Sequence, residues 1–199
     1  MRSEVARLRR LFADRIESLD EAAWSAASWC EGWRVRDVLA HLVRNAEMPL
    51  RSLTSDLLRG GFRPDRSVTK AAMRLGDVAV PELAHRLRTA QGGVRLPGSP
   101  EAMGLVDLLV HSADAFRPLG LDVEAPASDV APALDALWKT GRVVVHAVPH
   151  AGRRLVATDL DWSRGSGPEV RGKGIDLLLL VANRRQVIPS LAGPGLSGL

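Results

Sequence analysis

Apolar side chains recur at helical spacing along most of the chain up to about residue 150. In Ser3–Leu19 they fall at Val5, Leu8, Leu11, Phe12, Ile16 and Leu19, which predicts a first helix. A Trp-rich stretch, Trp24–Trp33, follows, with Gly32 as punctuation. A second helix is expected from Val35 through His41 to Met48, with Val35, Val38, Leu39, Leu42, Val43 and Ala46 on its apolar stripe. Pro49 kinks or ends it, and a continuation over Leu50–Leu58 runs to Gly60-Gly61. Phe62–Thr69 reads as a loop and Lys70–Leu75 as a short helical stretch. Pro81–Gln91 reads as a firmer helix, capped upstream by Asp77 and followed by Gly92-Gly93. A further helix lies within Val130–Val148, its end blurred by the β-branched run Val143–Val145.

Beyond residue 150 the pattern changes. Arg153–Trp162 and Pro168–Gly172 read as two strands joined by a Gly/Ser turn, and Ile175–Ser190 as a last helix with a frayed tail behind it. The expected class is mainly α: a helical bundle over 1–150 and a small hairpin-plus-helix appendage over 151–199, with no internal repeat.

One segment stands apart. Gly104–Gly120 is apolar nearly all round, as a buried helix is, except for a line formed by Asp107, His111 and Asp114. Those positions are i, i+4 and i+7, so a helix stacks them on one face. Burying a carboxylate and an imidazole costs several kcal/mol unless each meets a partner or a metal. A carboxylate and a histidine one turn apart can supply two ligands of a divalent-metal site, and a third must come from elsewhere.

Composition narrows the classes. The chain has 199 residues, 46% apolar and 25% charged, ordinary values for a globular protein. Its one cysteine, Cys30, rules out an intramolecular disulfide and a Cys-rich zinc site. The net charge of +4 invites a nucleic-acid reading, but there are only three lysines and the 24 arginines are interspersed with acids instead of forming a basic block. No apolar run nears the roughly 18–20 residues of a membrane span. The charged start, MRSEVARLRRLF, has no signal-peptide core. A cytoplasmic protein that binds neither nucleic acid nor membrane is the expectation.

His41 lies roughly 130° from the centre of its helix's apolar stripe at 100° per residue, so periodicity alone does not bury it. Its context adds more. GWRVRDVLAHL, at Gly32–Leu42, followed by DLLVHSADAFRPLGL, at Asp107–Leu121, resembles the DinB-like metal-binding four-helix bundles. Within them it resembles the mycothiol-dependent maleylpyruvate isomerase family. LVATDLDWSRGSGPEV and LLLLVANRRQVIPSLAGPG are similar to the tail of its shorter members. The resemblance implies metal ligands at His41, Asp107 and His111, a divalent cation (zinc first, nickel second) and mycothiol as thiol cosubstrate. It also implies a small electrophile as the other substrate, and an arginine in the tail, at Arg184, that handles a substrate carboxylate.

Two departures matter. The first carboxylate position, usually Glu, is Asp107, one methylene shorter, so that the metal or helix must shift by about an ångström or a water must bridge. Arg34 stands where many members have Ser or Thr, a loss of helix capping worth about 1 kcal/mol.

Two histidines and one carboxylate leave coordination positions open, as in a catalytic site. The chemistry implied is a thiol made nucleophilic on the cation, either adding to and leaving a conjugated double bond or remaining in a transferred adduct. Asp114 has two readings: it either holds a ligating histidine by its other ring nitrogen or pairs with an arginine such as Arg117. Cys30 reads as a small core residue, His85 as a solvated side chain, His146 and His150 as a structural pair, and Trp24, Trp29 and Trp33 as wedges between the first two helices. The alternative to an enzyme is a non-catalytic bundle with a weakened metal site that binds a small molecule or partner chain, a homodimer included. A metal-dependent hydrolase is a third reading, and it needs a general base, for which Asp114 is the nearby candidate.

Overall fold

The computed structural model describes residues 2–47, 72–92, 102–123, 125–144 and 150–199. The expected continuation over Leu50–Leu58, the loop Phe62–Thr69, the start of Lys70–Leu75 and His146 lie outside the described residues. The helices are α1 (Arg2–Glu17), α2 (Glu21–Ser25), α3 (Val35–Glu47), α4 (Val80–Thr89), α5 (Met103–Phe116), α6 (Ala127–Val144) and α7 (Gly174–Val181). The strands are β1 (Arg154–Ala157), β2 (Ser163–Gly165) and β3 (Glu169–Gly172). The fold is mostly helical with a small C-terminal sheet, the class that the hydrophobic period predicts. Among the described residues no helix is long and apolar enough to cross a membrane.

Contacts divide the chain into two compact units, Met1–Gly98 with His111–Val123, and Ser99–Val110 with Glu124–Leu199; α5 runs through both. In the first, Leu8, Phe12 and Ile16 of α1, Leu39, Leu42 and Val43 of α3, and Leu83 and Leu87 of α4 are buried, the stripes that periodicity marks. Arg9 donates to Ala90 O at 3.0 Å and Gly92 O at 2.8 Å, which supplies donors to carbonyls past the end of α4. Phe116 closes α5 against Phe12, ring centroids 5.1 Å apart. The helix then tightens into a 3₁₀ turn, Arg117–Leu119, and stops at Gly120, whose φ of 73° is left-handed.

The start of α3 corrects two expectations. Arg34 does not leave the helix uncapped. Asp37, in the first turn, accepts the Arg34 backbone N–H at 2.8 Å, half of a capping box, and also the Arg34 Nε and Nη2 at 2.9 and 2.8 Å. The fork is bidentate and its carboxylate fully buried, and it holds the Arg34 charge more firmly than usual. Asp77, expected to cap α4, is drawn instead to Arg34 Nη2 at 3.0 Å. Helix α4 begins without a side-chain cap, with Pro81 in its first turn, where a missing N–H costs nothing.

In the second unit α6 packs on α7, and Trp162 donates its ring N–H to Asp135 on α6 at 3.0 Å. Helix α6, grouped by the sequence with the N-terminal bundle, is counted here with the strands. The sheet has three strands, not two, in the order β2-β1-β3: β1 pairs antiparallel with β2 and parallel with β3. The hairpin turn is at Thr158–Trp162, where Asp159 Oδ1 accepts the Gly174 N–H at 2.7 Å, so that SRG of the expected turn becomes β2.

The last helix is also shorter than its apolar run. Asn183 takes a left-handed φ of 62°, with Asn183 N–H donating to Leu180 O and Arg184 N–H to Leu179 O, a Schellman stop. A 3₁₀ segment, Arg185–Ser190, follows. Nor is the tail frayed: Ala192 and Arg171 exchange backbone hydrogen bonds at 2.7 and 2.8 Å, and Arg153 binds Gly195 O and Ser197 O.

Candidate metal centre

Helix geometry fixes the first pair. Asp107 and His111 lie one turn apart on α5, both half-buried, among the buried Leu105, Leu108 and Leu109. His41 comes from α3, one turn after Asp37, and is only 9% exposed. Its burial comes from rings outside its own stripe: the Trp33 ring lies 5.2 Å away and the His111 ring 4.7 Å away, edge-on at 72°. One ligand atom from each of His41, Asp107 and His111 lies within 4.8 Å of the other two.

Two imidazoles and a carboxylate suit a divalent cation. Ligand atoms on a tetrahedral zinc sit about 3.4 Å apart given bonds of about 2.0–2.2 Å, so the three atoms need only close in modestly. The donor set fits such an ion, and the second ring nitrogen of His111 fits it as well. His111 Nδ1 is 2.9 Å from Asp114 Oδ2, with Asp114 fully buried. A buried carboxylate accepts that N–H, which fixes the tautomer and leaves Nε2 with its lone pair for an ion. His41 Nε2 lies 3.0 Å from Asn45 Nδ2, one turn along α3.

Asp114 makes the contact to His111 that one of its two readings expects. Arg117, the arginine weighed as its partner, lies with its guanidinium carbon 6.0 Å from the centre of the Trp29 ring. Arg184 is half-buried behind α7, with Nη1 donating to Ala182 O at 2.9 Å. His85 is exposed, and His150 is buried against Trp138 with ring centroids 4.3 Å apart.

Three residues at this site were not assigned to it from the sequence. Cys30 is not mere core filler: its Sγ lies 3.2 Å from Asp114 Oδ2 and 3.8 Å from His111 Nδ1. Cys30, His111 and Asp114 form a second group whose ligand atoms lie within 4.8 Å of one another. Trp33 covers His41, and Asn45 touches it. Asn45 carried a usable signal, a polar side chain at i+4 from His41; nothing local in the sequence points Cys30 at α5.

Comparison with known proteins adds an independent line. A family model described as the mycothiol maleylpyruvate isomerase N-terminal domain matches residues 5–116. Two crystal structures of mycothiol-dependent maleylpyruvate isomerase share the fold over 98% of this chain and 93% of theirs. One, of a histidine-to-alanine mutant, has a TM-score of 0.61 at 15% identity; the other has a TM-score of 0.53 at 13% identity. No curated protein matches the chain significantly.

Proposed function

Because the chain belongs to the mycothiol maleylpyruvate isomerase family, a family of enzymes, we propose that it activates mycothiol at a divalent cation for reaction with a small electrophile. The reaction is cis–trans isomerisation or S-transfer. The ligands are His41, Asp107 and His111, zinc is the first choice of metal and nickel the second, and the cytoplasm is the compartment where the reaction is assigned. The observation that carries this reading is the two-sided use of His111. One ring nitrogen is committed to buried Asp114, while the ring lies 4.7 Å from that of His41 and groups with His41 and Asp107 within 4.8 Å.

A bound divalent cation lowers the pKa of a thiol placed on it and so supplies a thiolate at neutral pH. The chain's own residues do the rest. Asp114 holds the His111 proton at Nδ1, so that the ring presents a lone pair and not a second N–H. Trp33 and the apolar faces of α3 and α5 limit water around the pair, which strengthens electrostatic interactions there. Arg184 is assigned, on the likeness of the tail, to a carboxylate of the electrophile.

Asp114 fits a positioning role better than that of a general base, because it is fully buried and already accepts from His111 and Cys30. That weighs against the hydrolase reading. One observation favours a non-catalytic module instead, the shorter reach of Asp107.

The test is to incubate zinc-loaded protein with mycothiol and a panel of small electrophiles that includes maleylpyruvate, following thiol loss and double-bond isomerisation. Thiol-dependent turnover, reduced at least about 100-fold in His41→Ala, is expected, a loss of about 2.7 kcal/mol of transition-state stabilisation. Metal-loaded protein that neither consumes thiol nor isomerises any of them would establish the non-catalytic reading.

A further inference from the structure

Resting on the metal-site reading above, we propose that Cys30 is a positioning residue whose thiol donates to Asp114 and so aligns the carboxylate that orients His111. The two donors meet on one oxygen: Cys30 Sγ at 3.2 Å and His111 Nδ1 at 2.9 Å from Asp114 Oδ2. Arriving from two different segments, they hold that oxygen from two directions. A thiol is a weak donor, so it sets direction without withdrawing much of the negative charge that His111 uses.

The segment around Cys30 is built to deliver that sulfur. Trp29 N–H donates to Asp114 O at 2.9 Å, so Asp114 is gripped at its backbone by the residue before Cys30. The Cys30 N–H donates to Ser28 Oγ at 3.1 Å, and the Cys30 carbonyl accepts the Trp33 N–H at 3.0 Å. Ser28 Oγ in turn donates to Trp33 O at 3.0 Å. Both sides of Cys30 are therefore tied down before its side chain is considered. A residue present only to fill space needs none of this, and a fully buried carboxylate gains from every donor it meets.

The two roles predict opposite rankings of two substitutions. If the thiol acts as a donor, Cys30→Ser retains zinc affinity within about threefold, while Cys30→Ala weakens it about tenfold, the lower end for losing a partner of a metal-ligating histidine. A space-filling cysteine predicts the reverse, with Ala tolerated and Ser harmful. Competition against a chromophoric chelator reads the affinities. Equal loss in both variants would overturn the proposal, because it would make the sulfur itself a ligand or its volume the essential property.

Two spectra of the metal-free protein separate this inference from the metal-site reading. With one cysteine in the chain, the infrared S–H stretch is a single band. It should lie below its position in the unfolded chain and move back towards it in Asp114→Asn. Nitrogen NMR of the His111 ring should show the Nδ1-protonated form in wild type and Cys30→Ser, and a mixture of tautomers in Cys30→Ala. An S–H band at the unfolded position, or a His111 tautomer indifferent to Cys30→Ala, would overturn the role of Cys30 whether or not the protein takes up zinc. Failure of wild type to bind zinc, with both spectra as expected, would count against the metal-site reading alone.

Discussion

Gly76→Ala should lower the unfolding free energy by about 3 kcal/mol, the upper end for an overpacked core. A Cβ at Gly76 would lie 2.0 Å from Asp37 Oδ1 and 3.2 Å from Ala72 O. Neither neighbour yields cheaply, because Asp37 is fully buried and forked onto Arg34, and Ala72 O accepts the Gly76 N–H at 2.7 Å. The added methyl group must therefore displace the carboxylate or open the turn. Asp37→Ala should cost about 2 kcal/mol, less than the loss of one partner from a fully buried pair, because Arg34 is partly exposed and regains water. The double variant should be only slightly worse than Asp37→Ala alone, since removing the carboxylate relieves the main clash and leaves the closer fit against Ala72 O. Urea unfolding of the four proteins forms a double-mutant cycle. Losses that simply add would show that the Gly76–Asp37 contact is not their cause.

The second large effect belongs to the proposed metal centre. Asp114→Asn preserves shape and an acceptor oxygen but removes the charge opposite His111 Nδ1. Partners of this kind are worth about 10–100-fold in metal affinity, and full burial of Asp114 places the expected loss towards the upper end, about 50-fold. The substitution should reduce zinc affinity far more than it reduces stability in the metal-free state, because the amide keeps most of the packing. Calorimetric titration with zinc, set beside thermal melts without it, reads the two separately. Unchanged affinity in a folded variant would mean that Asp114 serves the fold and not the ion.

The helical stripes were legible because burial in a bundle repeats with the helix period, and α1, α3, α4 and α5 follow it. The residues that depart from expectation do so through partners far along the chain. Arg34 breaks the Ser/Thr capping rule, yet its long fork reaches Asp37 and Asp77 and makes up the loss. Asp77, judged from its own neighbours, looked like a cap for α4 and is instead claimed by Arg34. The Gly/Pro-rich tail reads as loose by composition, but Arg153 and the Arg171–Ala192 bridge fasten it.

At the site the same distinction holds. Asp107, His111 and Asp114 share a face by helix arithmetic alone, so their alignment could be read directly. His41 could not be buried from its wheel position, because Trp33 and the His111 ring cover it from other segments. Its link to α5 entered through the family resemblance. Cys30 escaped both routes, since it reaches Asp114 only through the fold of the Ser28–Trp33 segment.

The most direct test of the metal centre is elemental analysis of the wild-type protein, purified without a metal-binding tag and equilibrated with zinc, beside His41→Ala and His111→Ala. The account predicts about one equivalent of zinc in wild type, as an open two-histidine, one-carboxylate site implies, and near none in either folded variant. Wild type without zinc, or variants that keep a full equivalent, would contradict it.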